Sequence, residues 1–356
     1  MHKANRLLIA ALALIGTSAA LAQSSVTLYG RVNTTVERQK LGSDSATGLV
    51  NNASRWGIRG TEDLGGGLKA GFALESGFNS DTGAGTPWPG LASTGGMTFG
   101  RQSEVNLSGG FGMVRLGNFV PESYYATADY VSMHNHDTGP SSDALYFDPV
   151  WFGGLGTKNK VGYRTPSFGG VTVDAAMSLH EKGTYAGTTN PLPQKNGYDL
   201  AANYNMGPLH LGAGYSYVNS NYQAALRALY TFGQFTVGGY YQRNKDANQW
   251  SPSGNGTRNN FRLSGMYTLG ASEFHANIGR ADSWSKVSSS AATQWILGYN
   301  YNLSKRTKVY GYYTRINNGA NADYLNGSST IDSLKKPANL VGQDFSSIAI
   351  GIRHNF

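Results

Sequence analysis

Ser54-Arg-Trp-Gly-Ile-Arg-Gly-Thr-Glu-Asp-Leu-Gly-Gly-Gly-Leu-Lys-Ala70 reads as two strands and the turn that joins them. Trp56 and Ile58 share one parity, while Arg55, Gly57, Arg59 and Thr61 share the other. Successive side chains of a strand point to opposite sides, so this segment has one apolar face and one polar face. Glu62-Asp-Leu-Gly-Gly-Gly67 interrupts the alternation with residues that favour turns. Leu68, Ala70, Phe72 and Leu74 then resume it, with Lys69 and Glu75 on the polar side. The period is two, which predicts a hairpin and excludes an amphipathic helix.

Working outward, the same pattern recurs along the chain. Val171–Ser178 sets Val171, Val173, Ala175 and Met177 against Thr172, Asp174, Ala176 and Ser178. Glu273–Gly279 sets Phe274, Ala276 and Ile278 against Glu273, His275 and Asn277, and Gly207–Tyr217 aligns Leu209, Leu211, Ala213, Tyr215 and Tyr217. The connections fall into two classes. Short glycine-rich links (Glu62–Gly67, Gly109–Gly112, Pro166–Gly170, Met206–Pro208, Phe232–Gln234) alternate with longer polar ones (Glu37–Ala53, Asn79–Gly100, Pro121–Gly156, His180–Gly197, Asn244–Arg258, Ser283–Ala292, Asn318–Asp344). Segments of about ten alternating residues with one short-looped and one long-looped rim are the pattern of a transmembrane barrel.

Strands are expected to begin near Val26, Ser54, Leu68, Arg101, Met113, Lys160, Val171, Tyr198, Leu209, Ala224, Phe235, Arg258, Glu273, Thr293, Thr307 and Phe345. The fold class expected is therefore all-β, a 16-stranded antiparallel transmembrane β-barrel. An even strand number closes such a barrel without an unpaired edge in lipid, and at this size the interior holds water.

The two ends and the composition agree. Met1–Ala22 carries Lys3 and Arg6, an apolar run from Leu7, and small residues ending at Ala20-Leu21-Ala22 before Gln23. This is the pattern of a cleaved signal peptide, residues 1–22, with the barrel occupying residues 23–356; the apolar run falls short of the roughly 20 residues a membrane helix needs. Removing Lys3 and Arg6 from the 29 basic residues leaves 27 against 21 acidic, a formal charge of +6. There is no lysine or arginine run, so export and charge together point to anionic solutes or lipopolysaccharide and not to nucleic acid. With no cysteine, thiolate chemistry and cysteine-ligated metal are excluded. Forty-eight glycines, 22 tyrosines and only 14% charged residues, against about 25% in soluble domains, suit many strands with aromatic girdles. At the C-terminus, Ile348, Ile350, Ile352, His354 and Phe356 share one parity. A final strand with an apolar row ending in an aromatic resembles the signal by which the barrel-assembly machinery recognises outer-membrane proteins.

The chain as a whole resembles the trimeric general diffusion porins of β-proteobacteria and Neisseria. The resemblance is carried by Ser25-Val-Thr-Leu-Tyr-Gly30, Ser54–Ala70, Val105-Asn-Leu-Ser-Gly-Gly-Phe-Gly112 with Val114-Arg-Leu-Gly117, Tyr163-Arg-Thr-Pro-Ser-Phe-Gly-Gly170, Leu303-Ser-Lys-Arg-Thr307 and Gly351-Ile-Arg-His-Asn-Phe356, in the family's order. It implies an outer-membrane homotrimer that passes small hydrophilic solutes passively, with a third external loop folded inward. The third long connection, Phe119–Gly156, is the longest. Two positions depart from the family: Asn118 stands where an arginine is usual, and Asn355 where a basic residue is common.

Selectivity in a channel comes from its radius and from the charges lining its narrowest point. Parity places Arg31, Arg55, Arg59, Lys69, Arg115, Lys160, Arg164, Arg227, Arg262 and Lys308 inward, with half as many acids: Glu75, Glu104, Asp174, Asp199 and Glu273. Resemblance adds Arg101 and marks it and Arg55 as constriction arginines. The expected basic wall is Arg31, Arg55, Arg59, Lys69, Arg101 and Arg115. Facing it, Glu122, Asp129, Asp137, Asp143 and Asp148 lie in the third loop, which has no lysine or arginine. The expectation is a transverse field and a weak to moderate anion preference. His134-Asn-His136 has no third ligand with tight spacing beside it, so no metal or cofactor is expected. Tyr29, Trp56, Phe72, Tyr204, Tyr230, Tyr299, Tyr301 and Tyr313 are read as girdle or lipid-facing residues. The alternatives are a substrate-specific outer-membrane channel, a barrel enzyme, for which no Ser/His/Asp cluster is visible, and a secreted β-protein, against which the terminal Phe356 speaks.

Overall fold

The computed structural model describes residues 25–86, 98–129, 131, 141–152, 158–181, 195–249, 254–325, 329–336 and 340–356. The expected signal peptide, His134, His136 and Asp137 lie outside these residues. Alternation produces one antiparallel sheet of seventeen hydrogen-bonded segments. They are β1 (Ser25–Leu41), β2 (Asp44–Asn51), β3 (Arg55–Gly65), β4 (Leu68–Gly77), β5 (Gln102–Gly109), β6 (Gly112–Asn118), β7 (Lys160–Arg164), β8 (Val171–Ser178) and β9 (Gly197–Met206). The second half comprises β10 (Leu209–Val218), β11 (Asn221–Phe232), β12 (Phe235–Asp246), β13 (Gly256–Leu269), β14 (Ser272–Ala281), β15 (Ala292–Asn302), β16 (Thr307–Asn318) and β17 (Phe345–Asn355).

Seventeen segments make sixteen staves. β1 pairs with β2 from Thr34↔Asn51 to Leu41↔Asp44 and with β3 from Ser25↔Thr61 to Arg31↔Arg55. β2 and β3 are thus two halves of one stave, broken at Ala53, whose φ is +56°. This corrects the reading of Glu37–Ala53 as a long loop. The alternation simply continues through Glu37, Gln39 and Leu41, which are buried, against exposed Arg38 and Lys40, before a tight turn at Gly42. Polar composition looks like a loop, but in a barrel the inward face is itself polar.

The sheet closes on itself. β17 pairs with β1 from Arg31↔Asn355 to Leu41↔Phe345, and the Phe356 and Gly30 backbones exchange two hydrogen bonds of 3.0 Å. Closure leaves no edge, which is what permits a sheet to cross hydrocarbon.

Exposure sorts the two faces. On β17, Ile348, Ile350 and Ile352 are exposed while Phe345, Ser347 and Ala349 are buried. The outer face therefore carries the apolar row. At the rim that holds the termini, Tyr230, Phe232, Phe235, Tyr267, Phe274 and Tyr299 form a chain of neighbouring rings with centroids 4.7–6.3 Å apart across β11 to β15. Such a belt suits a membrane interface, where one side of each ring is apolar and the other wet. At the same rim the turn between β3 and β4 uses Gly65, Gly66 and Gly67, all with positive φ between +61° and +83°. One aromatic departs from the girdle expectation: Tyr29 shares the inward parity of Arg31, and the Arg59 guanidinium lies 5.0 Å from its ring.

Candidate functional site: the lining of the barrel

The connection from β6 to β7 starts at Phe119 and forms a short helix, α1 (Glu122–Thr127). Its backbone is received by two glycines of the inward face of β10. A Cβ on Gly212 would collide with the Ala126 carbonyl oxygen, and one on Gly214 would come within 2.8 Å of the Ser123 carbonyl oxygen. Asp199 on β9 fixes the start of the helix by accepting from the Glu122 and Ser123 amides at 2.8 and 3.2 Å. A carboxylate there satisfies helical N–H groups that have no partner within the helix.

Further along the connection, Asp143 accepts two hydrogen bonds from Arg262 on β13, Nη2 to Oδ1 at 2.8 Å and Nε to Oδ2 at 3.0 Å. Tyr240 donates to the same carboxylate. Asp148 accepts from the Ser216 hydroxyl at 2.8 Å. The Phe147 carbonyl accepts from the Gln242 amide at 2.9 Å, while the Phe147 ring is fully buried against Trp284. The strand partners, Asp199, Gly212, Gly214, Ser216, Tyr240, Gln242 and Arg262, all belong to the inward parity of β9, β10, β12 and β13, and Trp284 follows the end of β14. The described parts of the connection therefore run along the inner wall.

The placement changes what the acids do. Glu122 is ion-paired to Arg115 and, at 2.9 Å, to Arg164; Asp143 to Arg262; and Asp148 is fully buried. Asp129, half-buried, accepts from Tyr124 within the helix region at 3.0 Å. Expected as a negative face opposite a basic wall, Glu122, Asp143 and Asp148 instead fasten the segment to the wall. The physical reason is desolvation: carboxylates pressed against a wall need charged or donating partners within reach.

Arg115 moves out of the basic wall for the same reason. It donates to Glu104 through Nε at 3.0 Å and Nη2 at 2.6 Å, and its guanidinium stacks 4.1 Å from the Phe119 ring. Lys160 is buried near that ring as well, at 5.3 Å. Arg164 bridges Glu122 and Asp174, the latter at 2.6 Å. Glu104, Lys160 and Arg164 therefore belong to one neutralised cluster that holds the start of the connection.

Arg31, Arg55 and Arg101 gather at one level. Arg31 and Arg55 are direct cross-strand partners, and Arg31 Nε donates to Asn355 at 3.2 Å. Glu75 lies between the other two, 2.6 Å from Arg101 and 3.8 Å from Arg55. From α1, the Tyr125 phenol is within electrostatic reach of both Arg101 and Arg55. The other basic-wall residues lie elsewhere. Arg59 sits four residues along β3 toward the terminal rim, and Lys69, paired in register with Asp63, is exposed at that rim. Asn118 ends β6 and donates to the Gly100 carbonyl at 2.8 Å, so it helps seat the segment that precedes Arg101.

Among the described residues, lining charges that escaped the sequence reading include Arg258, Arg353, Glu37 and Asp246, the last fully buried at the end of β12. Arg258 stacks 4.5 Å from Trp284 and donates to Tyr324; its shared parity with Arg262 was the available signal. Arg353 faces Lys308 across β16 and β17, on the parity opposite the isoleucine row. Glu37, fully buried, accepts from Thr35 and Tyr312 at 2.6 Å and from Ser347 at 2.8 Å. Its assignment to a loop concealed it.

Comparison with known proteins converges on one family. A family model described as Gram-negative porin matches residues 8–321. Outer membrane porin protein 32 of Delftia acidovorans is 32% identical, with 98% of this chain and 99% of the relative covered. An outer membrane porin protein of Bordetella pertussis is 28% identical over the same shares. Among solved structures, the anion-selective porin from Comamonas acidovorans superposes with a TM-score of 0.72 at 30% identity, covering 94% of this chain and all of that one. The chain belongs to the Gram-negative porins, diffusion channels of the outer membrane.

Proposed function

We propose that the barrel favours anions among the small hydrophilic solutes it passes, weakly to moderately, at a constriction set by the inward-folded β6–β7 connection. One observation carries this reading. Among the described residues, Arg31, Arg55 and Arg101 gather with Glu75, and Asp129 acts on the same Tyr125 phenol as Arg101 and Arg55, three cations to two carboxylates, while Glu122, Asp143 and Asp148 are held by wall partners. Among these side chains positive charge outweighs negative. An anion-selective porin is among the similar structures, which agrees. Reversal potentials in a KCl gradient across a planar bilayer test it: chloride preference is expected, and a clear potassium preference overturns it.

Met1–Ala22 is the exported leader, so mature protein begins at Gln23, which intact mass measures directly. Phe356, closing the final strand beside Gly30, is the contact for the barrel-assembly machinery. The functional unit is a homotrimer, seen as a heat-sensitive band on a gel, bedded in outer-membrane lipid and lipopolysaccharide. Solutes pass without covalent chemistry, metal or cofactor.

A further inference from the structure

One group of cations lies on the face of the barrel that cannot serve conduction. On β12 the outward series runs Phe235, Val237, Gly239, Tyr241 and then Arg243. On β14 it runs Phe274, Ala276, Ile278 and then Arg280, and on β16 Val309, Gly311, Tyr313 and then Arg315. In each strand an arginine follows immediately on the last apolar side chain, at the rim away from the termini. The three strands alternate around the wall, and each arginine is offset by two residues in register from the next, so neighbouring Cα positions are about 12 Å apart. Arg243 is exposed, and the Arg280 and Arg315 side chains keep 50% and 42% of their surface.

Their contacts on the protein leave part of each guanidinium open. Arg243 donates to the neutral Asn259 at 2.7 Å; Arg280 donates to Thr293 at 3.3 Å and is 3.8 Å from half-exposed Asp282; Arg315 donates to Asn317 at 2.6 Å and to Asp344 at 3.0 Å. Outward-facing Arg38, Lys40 and Lys245 extend the row at the same rim. The row of cations stands at the height where hydrocarbon gives way to headgroups. A charge at that depth is favourable when headgroup phosphate receives it, and guanidinium matches phosphate with two parallel hydrogen bonds.

We propose that Arg243, Arg280 and Arg315 form a docking surface for the phosphorylated headgroup of the outer-leaflet glycolipid. The proposal deepens the reading of lipopolysaccharide as a partner and rests on it, by assigning its place on the wall. The adjoining Tyr241, Ile278 and Tyr313 receive the acyl chains, so one lipid meets charge and apolar surface together.

The test uses the full-length porin in detergent, with purified lipid A as the probe in its phosphorylated and dephosphorylated forms. Retention is read by native mass spectrometry at low and high salt. The wild type is expected to keep phosphorylated lipid A, to release it as salt rises, and to keep little of the dephosphorylated form. The triple variant R243Q/R280Q/R315Q is expected to bind about a hundredfold more weakly. Equal retention of the two lipid forms by the wild type, which needs no variant, overturns the proposal. So does unchanged retention by the triple variant, or equal retention of phosphatidylglycerol, which would mark a general anionic surface. Conductance of the same preparations separates the two levels: a wild type without channels would refute the pore and leave the lipid result standing.

Discussion

Asp143 and Arg262, 119 residues apart in sequence, meet in a two-point ion pair on the inner wall, at 2.8 and 3.0 Å, with both side chains almost wholly buried. The pair joins the β6–β7 connection to the far side of the barrel. It fixes the described part of the connection around Asp143 against the inner wall.

Replacing Asp143 by Asn leaves Arg262 buried without its carboxylate. Breaking one partner of a buried pair costs about 3–5 kcal/mol. The ladder of the barrel is untouched, so the cost falls on the connection. Single-channel recordings of Asp143→Asn are expected to show larger and noisier current than the wild type. A quiet trace of wild-type amplitude would show that the pair does not hold the opening.

The Arg55, Arg101 and Glu75 cluster makes a signed prediction. A unit charge about 6 Å from the ion path, in water, changes its local concentration by about threefold. Chloride falls and potassium rises by that factor, so Arg55→Ala and Arg101→Ala are each expected to lower the chloride-to-potassium permeability ratio by about tenfold, and Glu75→Gln to raise it. Each difference shrinks between 0.1 M and 1 M salt, as the screening length falls from about 10 Å to about 3 Å. Permeability ratios from reversal potentials check both sign and salt dependence.

Gly212 on β10 leaves room for the α1 backbone, whereas Gly265 on β13 has nothing within 4 Å of where a Cβ would stand. Gly212→Ala is expected to displace the helix from the wall and alter conductance, since the clash is with a carbonyl oxygen and not with a flexible side chain. Gly265→Ala should leave both conductance and heat resistance unchanged. The contrast between two identical substitutions distinguishes displacement of the helix from general weakening of the sheet.

Tyr146, in the connection beside Asp148, has its phenol pushed well above the ordinary range by burial and by the neighbouring carboxylates. A group with a raised folded pKa contributes stability that is complete below its unfolded value, about 10, and is lost as pH rises beyond it. Tyr146 is therefore expected to contribute no change in conductance below about pH 10. A titration step in the recordings near neutral pH attributable to Tyr146, absent in Tyr146→Phe, would contradict this.

Strand positions were legible because a barrel wall imposes a strict local rule. Thirteen residues after the first expected start near Val26, the β1 alternation still continues at Gln39, and the same rule fixes Phe345–Asn355. Where the rule was abandoned, at Glu37–Ala53, the reading failed and Glu37 was lost with it. The inward parity of Arg31, Arg55, Arg115 and Arg164 followed from the same alternation. Their roles did not, because parity tells which face a charge is on and not which charge stands opposite.

By itself the sequence determined the barrel, its strand number and the polarity of its two faces. Each of these depends on side-chain period and on loop length, which are properties of neighbouring residues. Only the tertiary structure decided that Glu122 and Asp143 fasten a wall while Glu75 stands among Arg31, Arg55 and Arg101. The pairs Glu122 with Arg115, Asp143 with Arg262 and Glu75 with Arg101 close over 7, 119 and 26 residues of chain. They depend on where the β6–β7 connection comes to rest against a curved wall, a position that no local periodicity encodes.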